Sequence, residues 1–242
     1  MMLRVRDALA LYLLAVAGLV GLGGLFAGYG LPGLASLEIL VVALPTVLLA
    51  SARGDRLGLV RAPWTALAGS ALVGASGWAF LAATVLPIQE RIAPTPKGLE
   101  ETLARLAAGP TWAVLLAVAI VPAVCEELLC RGALAFALRR RSGAVAAVLV
   151  SALLFALLHG SPYRLVPTFL LGVGFGAIAL RTGSVVPTMI AHALNNTAIV
   201  LVSAVPMIGD AIDANGALVT AVAVIALTLG FVLVFLRFRV VR

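Results

Sequence analysis

The sequence predicts an all-α fold, a polytopic transmembrane helical bundle of about eight spans. Three observations carry this. The 242 residues are 63% hydrophobic and 11% charged, with a mean hydropathy of +1.17, whereas soluble domains hold about 25% charged residues. Apolar runs of ~20 residues, the length that crosses a bilayer, recur along the whole chain. The arginines gather at the ends of those runs, as the positive-inside bias requires. No room is left for a separate soluble domain, and the net charge of +7 reads as a topology signal rather than as affinity for nucleic acid.

The first element, in MMLRVRDALALYLLAVAG, has the basic and apolar regions of a signal peptide. Its apolar run is overlong and no convincing A-x-A site follows, so it reads as a retained first span. The spans are expected near residues 8–30, 34–52, 64–87, 112–138, 142–160, 164–181, 184–205 and 215–236. Arg4/Arg6, Arg53/Arg56/Arg61, Arg139/Arg140/Arg141, Arg181 and Arg237/Arg239/Arg242 fall in every second connection. That alternation predicts an even number of spans with both termini cytoplasmic, in a cell membrane; only Arg164 dissents. Residues 94–110 differ from the rest: Thr102, Leu103, Leu106 and Ala107 oppose Lys97, Glu100, Glu101 and Arg105. A short interfacial helix and a plain linker are equally good readings of this stretch. The chain therefore divides into N-terminal spans with a short interfacial segment (1–110), a helical core (111–205), and a last span with a basic tail (206–242).

The chemistry-bearing residues fall in three of these spans. Glu126 and Glu127 lie inside an apolar run and read as the only acidic side chains so deep in a hydrophobic segment. A carboxylate there costs roughly 2.5–3.5 kcal/mol on insertion scales, so it faces a partner or a wet cavity. Arg131 stands at i+4 from Glu127, the usual ion-pair spacing, which leaves Glu126 for another task. Cys125 and Cys130 flank the pair but point about 140° apart on the helix, which argues against a disulfide between them. The only two histidines are His159, at the end of the next span, and His192, with Asn196 one turn further on. Each cluster taken singly has a bland reading as an ion pair, an interfacial ring or an interhelical hydrogen bond. Converging, they supply carboxylate, two imidazoles and carboxamide, an inventory that suits hydrolysis. Zinc would accept Glu126, His159 and His192 with an open fourth position, although no HExxH pattern occurs.

At these residues the chain resembles the CPBP family of intramembrane proteases, which includes the type 2 CAAX prenyl proteases and bacteriocin-processing enzymes. Glu-Glu-x-x-x-Arg matches Glu126, Glu127 and Arg131; Phe-x-x-x-His matches Phe155 and His159; His-x-x-x-Asn matches His192 and Asn196. Cys130 departs from the aromatic usual before the arginine. The resemblance covers about residues 110–200. It implies a membrane-embedded catalytic cavity in which Glu126 and His159 activate water, His192 and Asn196 stabilise the oxyanion, and Glu127 and Arg131 brace the helix. The family has been described both as metalloproteases and as metal-free glutamate-dependent enzymes, so zinc is the one cofactor to consider. The implied partners are a hydrophobic or prenylated peptide or protein substrate and the lipid bilayer. Prenylated tails, leader peptides and sorting-signal tails all remain open as substrates. The alternative is a non-catalytic transporter, immunity or scaffold subunit with the same polar cluster.

One geometric difficulty stands in the sequence. Counted from the outer start of its span, Glu126 lies ~21 Å deep at 1.5 Å per residue, whereas His159 ends its span near the outer surface.

Overall fold

The computed structural model describes residues 2–92, 94, 95, 98, 101 and 109–236. Among them the chain is all-α, in eight helices: α1 (Val5–Ala27), α2 (Gly30–Ala52), α3 (Trp64–Ile92), α4 (Thr111–Leu158), α5 (Pro162–Thr182), α6 (Val186–Ala204), α7 (Pro206–Ala214) and α8 (Gly216–Phe235). All but α7 are long and apolar enough to cross a membrane, giving seven candidate spans. Most of the amphipathic stretch expected over 94–110 lies outside the described residues.

Helix α4 accounts for two of the expected spans. Its 48 residues would extend about 72 Å if straight, more than twice the hydrocarbon thickness. Gly143 breaks it with φ +80° and ψ 175°, a conformation that only glycine adopts readily. The chain folds back there into a helical hairpin. Arg131, 12 residues before Gly143, lies with its guanidinium carbon 4.2 Å from the ring centroid of Phe155, 12 residues after it.

Prolines shape two of the inner helices. Wide π-turns run over Ile39–Ala43 in α2 and Leu115–Ile120 in α4, each ending two residues before a proline, Pro45 or Pro122. Proline offers no N–H and crowds the carbonyl four residues back, and widening the preceding turn relieves both faults. A third π-turn, Leu128–Ala135, follows Glu127 directly.

The core forms where α1 and α2 pack on the first arm of α4: Leu11, Tyr12, Val42, Ala50, Cys125, Leu129, Leu134 and Phe155 make one buried cluster. Both cysteines are free and buried. Helix α5 lies close against the second arm, because a Cβ on Gly172 would come 3.0 Å from Ala152 Cα. Gly176, one turn further along the glycine-rich run of α5, likewise comes close to Val148. At the Arg-rich end, Arg140 Nη2 donates to Leu3 O at 2.6 Å, Leu3 N donates to Asp55 at 3.0 Å, and Val185 N donates to Gly58 O at 3.0 Å. The N-terminus, the 53–61 connection, the hairpin turn and the α5–α6 turn therefore share one face.

Candidate active site

The hairpin removes the difficulty of depth. Glu126 stands 17 residues before Gly143 and His159 stands 16 after it, so both lie about 24–26 Å along their arms from the same turn. Counting from the outer start misplaced them, because the first arm runs further outward than the second. Glu126 Oε2 and His159 Nε2 face each other at 4.0 Å. His159 Nδ1 lies 3.0 Å from Phe155 O, the carbonyl one turn back. A carbonyl only accepts, so Nδ1 carries the proton and Nε2 turns a lone pair towards the carboxyl group. Glu126 is 7% exposed, and its Oε2 has no hydrogen-bond partner.

Glu127 points into the bundle and is wholly buried. Its Oε1 accepts from Arg131 Nη1 at 2.8 Å, the i, i+4 pair expected from the sequence, and lies 3.1 Å from His192 Nδ1 on α6. Arg131, also wholly buried, donates from Nη2 to Gly172 O at 3.1 Å. Phe155 presents an edge contact to both imidazoles, at 5.1 Å from His159 and 5.4 Å from His192, and Phe175 of α5 stacks on His192 at 5.7 Å. One aromatic side chain thus orders both histidines and lies under the arginine.

Asn196 is held by a proline's defect. Val118 O would ordinarily bond the N–H four residues on, but residue 122 is proline. Asn196 Nδ2 donates to that carbonyl at 3.2 Å, and its Oδ1 accepts from Asn195 Nδ2 at 3.2 Å. This ties α6 to α4 two turns before Glu126.

Glu127 engages His192 at Nδ1 and leaves Nε2 as the ring's second polar position. Among the described residues no three His, Cys, Asp or Glu side chains are placed to hold a metal ion. One sequence expectation needs correction: Glu126 and Glu127 are not the only deep carboxyl groups. Glu38, on α2, sits in an equally apolar run and within electrostatic reach of Glu126 and of Cys125. Its Oε2 is buried without a hydrogen-bond partner. Inspection of LPGLASLEILVVALP for a lone charge would have found it. Phe175 and Asn195 were also missed, and neither carries a signal that separates it from ordinary core.

Residues 108–198 match the family model of type II CAAX prenyl endopeptidase Rce1-like proteins. No curated protein and no solved structure matches the chain. The matched stretch contains the α4 hairpin, α5 and most of α6, and with them Glu126, Glu127, Arg131, His159, His192 and Asn196, so it is in this helical core that the chain is similar to the CAAX-type intramembrane proteases.

Proposed function

We propose that this integral membrane protein is an endopeptidase that hydrolyses a peptide bond in a prenylated, CAAX-like or otherwise membrane-anchored protein or peptide. The observation that carries the reading is the pairing of Glu126 Oε2 with His159 Nε2 across 4.0 Å. Both atoms are acceptors, and the gap is too long for a direct hydrogen bond. A water donating one hydrogen to each, at about 2.8 Å, would subtend roughly 90° at its oxygen, near its natural angle. Both hydrogens are then engaged, and a lone pair is left for the scissile carbonyl carbon.

As the water oxygen bonds to that carbon, Glu126 takes a proton and the carbonyl π pair moves to oxygen. Asn196 has a second amide hydrogen beyond the one given to Val118 O, and it is our candidate for meeting the oxyanion. His192 is the other donor. Glu127 at Nδ1 fixes the ring's orientation, so that a proton on Nε2 would be available to the oxyanion. Collapse of the intermediate breaks the C–N bond, and the proton on Glu126 passes to the leaving nitrogen. Water activation is assigned to Glu126 and His159, and no step to zinc, because the donors do not converge as a metal set. The alternating arginines support an orientation with both termini cytoplasmic, and we place the chain in a cell membrane.

The test compares protein termini by mass spectrometry in membranes carrying the wild-type chain or Glu126→Gln. New termini that appear only with wild type establish proteolysis, and the residues around the cut name the substrate. Identical termini from both, with each variant folded and abundant, would overturn the reading in favour of a non-catalytic membrane protein.

A further inference from the structure

The hydrolytic site as assigned draws on α4 and α6 alone, yet Glu38 of α2 reaches it from outside the family-matched stretch. Its placement is not incidental. The π-turn Ile39–Ala43 begins at the next residue, and Val42 within that turn packs into the cluster holding Cys125, Leu128 and Leu129. The turn before Pro45 therefore seats this part of α2 on the helix that carries Glu126.

Two carboxyl groups consequently come within electrostatic reach of each other in an apolar surrounding, and an oxygen of each, Glu38 Oε2 and Glu126 Oε2, is buried without a hydrogen-bond partner. Left unpaired, Glu38 Oε2 would lose its hydration with nothing to offset it. Glu126 is more than nine-tenths buried and must present one oxygen to the attacking water, while nothing else among the described residues holds its carboxyl plane. We propose that Glu38 is a positioning residue of this active site, holding the Glu126 carboxyl group turned towards His159. The link is a hydrogen bond, carried by a shared proton or by one intervening water. The inference rests on the hydrolytic reading above, and it makes α2 a necessary part of the site.

Two measurements test it, and the first needs no substrate. Thermal unfolding of Glu38→Leu, Glu126→Leu and the double variant forms a double-mutant cycle. A shared hydrogen bond is lost once, so the double variant should fall short of the sum of the single shifts by a few °C. Additive shifts overturn the proposal whether or not any substrate is cleaved.

The second measurement follows cleavage of a farnesylated peptide ending in a CAAX sequence, with wild type beside Glu38→Leu and Glu38→Gln in liposomes. Glu38→Leu should lose 10- to 100-fold in kcat with KM within about 3-fold, and Glu38→Gln, which can still hydrogen-bond, should recover most of that loss. Equal impairment of the two variants, or wild-type kcat in Glu38→Leu, overturns the proposal. Failure of the wild-type chain itself to cut this peptide counts against prenylated substrates, and the unfolding cycle alone then decides the role of Glu38.

Discussion

Glu127 Oε1 lies 3.1 Å from His192 Nδ1 and accepts from Arg131 Nη1 at 2.8 Å. A single oxygen thereby joins the first arm of the α4 hairpin to α6. Adjacent glutamates divide their work by direction: Glu127 faces inward to a fully buried guanidinium, and Glu126 faces His159.

Arg131→Ala should be a stability variant before it is a catalytic one. It strands the wholly buried Glu127 and releases Gly172 O, a loss of about 3–5 kcal/mol for a broken buried pair. A fall in thermal midpoint and in membrane yield is expected, with partial recovery in Arg131→Met/Glu127→Gln. A stable but slow Arg131→Ala would assign the arginine to chemistry instead.

Asn196→Ala should show the opposite pattern. The half-buried amide loses its bonds to Val118 O and from Asn195 Nδ2, together worth about 2 kcal/mol, so the thermal midpoint falls by less than in Arg131→Ala. Loss of an oxyanion donor should lower kcat by about 10²–10³-fold. Steady-state kinetics beside an unfolding curve separate the two quantities, and an unchanged kcat removes Asn196 from the oxyanion site.

Gly172→Val tests how tightly α5 is docked. Even a methyl group there meets Ala152 Cα at 3.0 Å, and valine adds two more carbons. Overpacking of this kind costs about 1–3 kcal/mol, and it should also disturb the carbonyl that receives Arg131 Nη2. Unfolding as late as wild type would mean that α5 yields without cost.

Elemental analysis addresses the metal. Since no three His, Cys, Asp or Glu side chains among the described residues are placed to hold a metal ion, purified active protein is expected to carry no stoichiometric zinc and to keep its activity after dialysis against a chelator. One zinc per chain, lost together with activity and restored with it, would reverse the assignment of water activation to Glu126 and His159.

The sequence was most legible where a contact is local. Glu127 and Arg131 are four residues apart on one helix, and their pairing follows from the spacing alone. The spans were readable because hydrocarbon imposes a length on them. Depth was not readable, since it must be measured from Gly143, whose turn shows only in the backbone. Glu38 stands out as a lone charge in an apolar run, but nothing at helical spacing ties it to the site; its neighbour Glu126 is 88 positions away. The π-turns were hidden as well, although Pro45 and Pro122 mark where such turns are to be sought. The stacking of Phe175 on His192 depends on how close α5 comes, and apolar composition does not encode that distance.

The hairpin at Gly143 has a consequence for how such a chain can vary. Because Glu126 meets His159, and Arg131 meets Phe155, at matching distances from the turn, the two arms behave like the limbs of a caliper. Adding or deleting one residue in either limb between Gly143 and these pairs would rotate everything beyond it by about 100° and shift it by ~1.5 Å. Each facing pair would then part. Length changes are tolerable only beyond the tips, which makes the 33-residue interval from Glu126 to His159 a fixed dimension of this protein rather than a spacer.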